Sequence, residues 1–133
     1  MKYTMNYLKT FEKYDISDID DILNQISNFL DSNTRNLWIS NDEISIYIRR
    51  SKRSFKGNVY DFFDFASIDV TEPNNGLFTK ILKKFEEIYP DKNIFIESVL
   101  TDRFANYIKN VLNFEEESPN YSNNFYKIKQ IIN

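Results

Sequence analysis

A chain of 133 residues with 41% hydrophobic content, 12 Phe and 9 Tyr carries enough apolar side chain for one packed core, which excludes intrinsic disorder. Two Gly and three Pro are too few for a turn-dense β-sandwich or barrel, and a net charge of -3 gives no general reason to bind nucleic acid. The absence of Cys and His rules out disulfides, thiolate metal sites, and Ser-His-Asp or Cys-His catalysis, leaving carboxylates, Tyr, Lys, backbone amides or an ordered water for any chemistry.

No apolar run approaches the roughly 20 residues that a membrane span needs, and residues 1–8 lack the basic-then-apolar pattern of a secretory signal. The expectation is one cytoplasmic domain over residues 1–133, with no metal and no membrane partner. Residues 1–14 are ambiguous, with Tyr3, Leu8 and Phe11 as candidate core anchors. Ser17, followed by Asp20, reads as a helix N-cap, and Ile19, Ile22, Leu23, Ile26, Phe29 and Leu30 then fall on one helical face. Residues 37–40 and 43–50 read as strands joined through Asn41-Asp42. In the second, Ile44, Ile46 and Ile48 alternate with Ser45, Tyr47 and Arg49. The polar stretch 51–58, which holds Gly57, is expected as a connection.

Residues 59–70 are long and aromatic with imperfect alternation, which suits a strand buried on both faces or one carrying a bulge. A loop at 71–75 precedes a second helix whose face is Leu77, Phe78, Ile81, Leu82, Phe85 and Ile88, stopped by Pro90. Residues 93–99 read as a strand, 102–112 as a helix, and 114–117 with 125–128 as a closing hairpin. The resulting order, α–β–β–β–α–β–α–β–β, predicts an α/β domain, more closely an α+β mixed sheet with helices on both faces.

That order, with a strand, loop and helix after the long third strand, resembles the GCN5-related N-acetyltransferases (GNAT). The family signature Arg/Gln-x-x-Gly-x-Gly/Ala lies between a strand and the following helix, and the corresponding run here is Asp69-Val70-Thr71-Glu72-Pro73-Asn74-Asn75-Gly76-Leu77-Phe78-Thr79. Gly76 matches the first glycine, Thr79 the small hydroxyl residue opening the helix, and Val70 the strand-end residue whose backbone pairs with the pantetheine arm of acetyl-CoA. Asp102-x-x-Ala105-x-x-x-Lys109 followed by Asn113-Phe114 resembles the family's Asn-x-x-Ala-x-x-x-Tyr and Gly-Phe. Residues 97–105 look like small phage-encoded members. The chain departs from the pattern at Pro73, Phe78, Asp102, Lys109 and Asn113. The resemblance implies a GNAT-like acyl-CoA N-acyltransferase fold, a central mixed sheet flanked by helices, and acetyl-CoA as co-substrate. It implies cofactor contacts from Val70, Asn74, Asn75, Gly76, Leu77, Phe78 and Thr79.

A pyrophosphate at a helix N-terminus is held by free amides and the helix dipole, so its loop must let backbone approach phosphate oxygens. Asn74, Asn75 and Gly76 tolerate the backbone geometries this requires, whereas Pro73 removes one donor and Phe78 adds bulk unless its ring turns inward. Judged alone, the same run is a plain turn before a helix. Transfer to an amine needs a base, and often an acid for the departing thiolate. Glu97 is the first candidate, Asp69 and Asp64 are rivals, and Tyr107 stands near the family's Tyr; each also reads as an ordinary surface or helix-face residue. Arg49, Arg50, Lys52, Arg53 and Lys56 form a basic hairpin suited to an acidic protein partner, a nucleic-acid backbone or an anionic substrate, or simply to solvent. Two functions follow as expectations. One is an acetyl-CoA-dependent N-acetyltransferase acting on a primary amine of a protein lysine, an N-terminus or a small molecule. The other is a catalytically inactive GNAT-like binding protein, such as a phage product acting on a host protein.

Overall fold

The computed structural model describes residues 16–72, 76–99, 101–118 and 123–129. Among these residues three helices and six strands follow one another as α1 (Ile16–Leu30), β1 (Asn36–Ser40), β2 (Ile44–Phe55), β3 (Asn58–Val70), α2 (Leu77–Ile88), β4 (Asn93–Ile96), α3 (Asp102–Asn110), β5 (Glu115–Glu116) and β6 (Phe125–Lys127). This is the expected order. The strands form one mixed sheet, β1-β2-β3-β4-β6-β5, in which only β3 and β4 run parallel. No helix among the described residues is long and apolar enough to cross a membrane.

One face of the sheet carries the main core. Ile44, Ile46 and Ile48 of β2, Phe63 and Phe65 of β3, Ile94 and Ile96 of β4, and Phe125 of β6 share that face by register and are buried. Ile22, Leu23, Ile26 and Phe29 of α1, Leu77, Phe78, Ile81, Leu82 and Phe85 of α2, and Ile108 of α3 join the same cluster. Phe63 meets Phe29 from α1 at 6.1 Å and Phe85 from α2 at 4.8 Å between ring centroids. At roughly 1.5–3 kcal/mol per fully buried large side chain, this face supplies most of the folding drive. Among the described residues the three helices therefore pack on one face, not on both as alternation alone suggested.

The other face explains why. Its lower half is closed by the β2–β3 hairpin, where Phe55 stacks on Tyr126 at 4.1 Å and meets Phe62 at 5.7 Å, while the Arg53 guanidinium lies 3.5 Å from the Phe95 ring centroid. The run Phe62-Phe63-Asp64-Phe65 is thus buried on both sides, as the sequence suggested. The suggested bulge is present too. Tyr47 pairs with Ser67 and Ile48 with Phe65, which leaves Ala66 as the extra residue on β3.

Of the boundaries that differ from expectation, two have clear local reasons. The stretch 51–58 is strand almost throughout, and only Lys56 (φ 52) and Gly57 (φ 82) form the turn, both left-handed as a two-residue type I′ hairpin requires. β4 ends at Ile96, because Ser98 turns left-handed (φ 57) and its N–H bonds to Asn124 Oδ1. α1 begins at Ile16, one residue before the expected cap at Ser17.

Candidate functional site

The parallel pair is where the sheet opens. β3 and β4 pair only from Phe62 with Asn93 to Phe65 with Ile96, and the Glu97 N–H still reaches the Phe65 carbonyl at 3.1 Å. Beyond that point the chain leaves β3. Ser98 bonds the Asn124 side chain at 2.9 Å and Val99 bonds the Asn123 carbonyl at 2.9 Å, so residues 97–99 are drawn toward the β6 side. β3 continues to Val70 with only β2 beside it among the described residues.

Register shows which β3 groups face the gap. The Thr71 N–H bonds the Glu43 carbonyl, which makes Asp69 with Ser45 and Ser67 with Tyr47 hydrogen-bonded pairs by alternation. Ile68 and Val70 then direct their N–H and C=O groups away from β2, into the gap, while their side chains pack on the core. Two amides spaced along an open strand edge suit an extended ligand with amides of its own.

The N-termini of α2 and α3 both follow the carboxyl ends of these parallel strands, where ligands of open α/β sheets bind. They differ in how they are capped. α3 starts at Thr101, whose side chain accepts the Phe104 N–H at 3.3 Å, and Asp102 lies in its first turn. α2 starts at Gly76 (φ 78), which offers no side chain, and no acidic residue occupies the first turn. The α2 end therefore keeps its positive dipole without a neutralising side chain of its own. Phe78 turns inward, 7% exposed, with its ring 5.2 Å from Phe65 and 5.7 Å from Phe104, so its bulk does not block the backbone. Leu77 is buried as well, and Thr79 is half-buried on the helix. Asn74 and Asn75 lie outside the described residues.

Glu97 stands where the strands diverge, but it is not a bare carboxylate. Its Oε1 accepts from Arg49 Nη2 and from Arg53 Nη2, the latter at 3.1 Å. Both arginines also bond Oδ2 of Asp64 at 2.9 Å, and Ser51 Oγ donates to Oδ1 at 2.8 Å. Asp64 is fully buried with both oxygens engaged, so it holds the arginines and reaches no ligand. Asp69 is exposed on the same face, four residues past Phe65, about 13 Å farther along the strand. Tyr107 packs on α3 against the core with Lys83 Nζ 5.5 Å from its ring, and Lys109 pairs with Glu116 at 2.6 Å. The structure thus places Glu97 where the strands diverge, beside Phe65, with Val70 five residues farther along β3 and Gly76 at the head of α2, and it keeps Tyr107 at the α2–α3 packing surface.

Most of the basic hairpin is spent inside the chain. Besides Arg49 and Arg53, Lys52 pairs with Asp61 at 2.6 Å, and Arg50 donates to the carbonyls of Phe29, Leu30, Ser32 and Thr34 at the end of α1. The Asp64 network and the steering role of Asn124 were missed from the sequence. The available signal was a lone carboxylate inside an aromatic run facing arginines spaced four apart.

A groove of about 260 Å³, lined by Phe55, Lys56, Tyr60, Glu115 and Tyr126, lies at the hairpin end, the far end of β3 from Val70. There burial, then a hydrogen bond and charge from Glu115, push the Tyr126 hydroxyl up to about 12. The described residues contain no group of three or more Asp or Glu arranged to hold a metal. No protein-family model, no curated protein and no solved structure matches the chain.

Proposed function

We propose that the chain is a GNAT-like acyl-CoA-binding protein that transfers an acetyl group from acetyl-CoA to a primary amine. The observation that carries this reading is the end of β3, where Ile68 and Val70 turn backbone amides away from β2 toward an edge that no described strand covers, followed in the chain by α2, whose Gly76 cap has no side chain. An acyl-CoA is built to match: pantetheine is an extended chain with two amides, and the pyrophosphate is an anion for a helix N-terminus.

Two departures from the family pattern also lose their force. Phe78 buries its ring, and Asn113, standing where the family has Gly, takes the same left-handed geometry (φ 65) that a glycine there would supply. Asn113 lies three residues past the end of α3, where the Phe114 N–H is bonded back to the Ile108 carbonyl at 2.8 Å. In this reading Glu97, held through Oε1, acts on the amine through Oε2 or a water, while the arginines keep it oriented.

Gly76→Asp tests the phosphate end. Asp tolerates left-handed backbone and suits a helix start, so the variant folds, but its charge opposes pyrophosphate. Calorimetry should show acetyl-CoA affinity reduced at least about tenfold, with Gly76→Asn near wild type. Equal affinity for all three proteins would remove the site from α2.

The second reading, a binding protein without catalysis, is favoured by the double occupation of Glu97 Oε1. It keeps acetyl-CoA or CoA binding and predicts no amine-dependent release of free thiol.

A further inference from the structure

We propose that Trp38, Tyr47 and Asp69 form a binding site for an aliphatic ammonium group on the sheet face opposite the helices. Trp38 and Tyr47 are directly paired across β1 and β2, and their rings stack at 5.2 Å between centroids with a 41° tilt. Tyr47 is in turn paired with Ser67 of β3, and Asp69 is the next residue of β3 on the same face, the diagonal neighbour of Tyr47. Such diagonal positions lie about 7–8 Å apart, within reach of long and aromatic side chains.

The hairpin residues that close the lower half of this face stop short of these three. Trp38 is 56% exposed, an unusual position for the largest apolar side chain in the chain, and Asp69 is exposed too. Among the described residues, Arg49, the next residue of β2 on this face after Tyr47, is already engaged by Asp64 and Glu97, which leaves the Asp69 carboxylate beside two electron-rich rings. A carboxylate diagonal to a Tyr ring, with an indole on the far side of that ring, attracts a cation through charge and ring quadrupole together, and the indole beyond gives an alkyl chain a surface to lie on. An anion is repelled, and a neutral alcohol gains only the stacking area.

The site also lies on the route out of the gap. Asp69 precedes Val70, whose backbone borders the opening between β3 and β4, whereas Trp38 is two strands away, about 10 Å across the sheet. That the bound ammonium belongs to the acyl acceptor rests on the acetyl-CoA reading; the ammonium site itself does not.

Trp38 is the one tryptophan of the chain, so its fluorescence reports the site directly. Titration of the full chain with spermidine should give a saturable change in emission, while 1,6-hexanediol should give none. Asp69→Asn should weaken the spermidine response at least about tenfold, and Tyr47→Leu should weaken it severalfold. No saturable response, or an unchanged response in Asp69→Asn, overturns the site. The same titrations with acetyl-CoA separate the two ideas. If acetyl-CoA fails to bind while the spermidine response depends on Asp69, acyl transfer falls and the ammonium site stands. If acetyl-CoA binds and spermidine leaves Trp38 unchanged, the reverse holds.

Discussion

A fully buried carboxylate inside an aromatic strand is tolerable only when its charge is met, and Asp64 meets it with three donors from β2. Because Arg49 and Arg53 then converge on Glu97, a core ion also orients the candidate carboxylate. Asp64→Asn should destabilise the fold by about 3 kcal/mol, the low end for a broken buried pair, because both arginines keep partial access to water. Urea denaturation measures this, and a loss below about 1 kcal/mol would mean that the network is ornamental to stability. Arg50 illustrates the same economy. The last turn of α1 has no basic residue of its own, and the strand arginine supplies the donors for its terminal carbonyls while lying 4.7 Å over Phe29. Neither role is visible in one dimension. The oddity of Asp64 between Phe63 and Phe65 is legible, but its partners depend on a register that the bulge at Ala66 shifts by one.

At the scale of elements, the apolar periodicities of α1, α2 and β2 were legible because each has one buried face. β2 looks shorter in the sequence than it is, because Ser51, Lys52, Arg53 and Ser54 resemble a solvated loop, although Ser51 and Arg53 point to Asp64 and the pairing runs on to Phe55 with Asn58. β4 looks longer in the sequence than it is, because Val99 continues the apolar run, while Asn124, remote in sequence, bonds the Ser98 N–H where the backbone turns. The hairpin turn offers a clean test. Lys56 occupies a left-handed position ahead of Gly57, where Asn is the preferred residue. Lys56→Asn should therefore raise unfolding stability by about 0.5 kcal/mol, read from the urea midpoint. A fall in the midpoint would show that the Lys56 side chain contributes more than its backbone costs.

For the whole molecule, pH exposes how the closing strands are tied to the hairpin. The Tyr126 hydroxyl is held up to about 12, first by burial and then by Glu115, above its ordinary value of 10.0. A raised pKa means that the folded state favours the neutral phenol, so this contribution is complete below about pH 10 and is lost as pH climbs toward 12. Tyr126→Phe keeps the stack on Phe55 and removes the titration. The stability gap between wild type and variant should shrink from pH 9 to pH 12, measured as paired urea unfolding curves; a constant gap would contradict the assignment.

The architecture of the candidate site was partly legible: the order of elements, the left-handed position at Gly76 and the inward Phe78 follow from residue chemistry. The gap itself was not, since it depends on where β4 stops and on which way the Val70 amide points. The most direct test of the account is calorimetric titration of the purified chain with acetyl-CoA, accompanied by native mass spectrometry for CoA already bound. The account predicts one-to-one binding that Gly76→Asp weakens at least about tenfold. No binding by either method, in a protein shown to be folded, would contradict it.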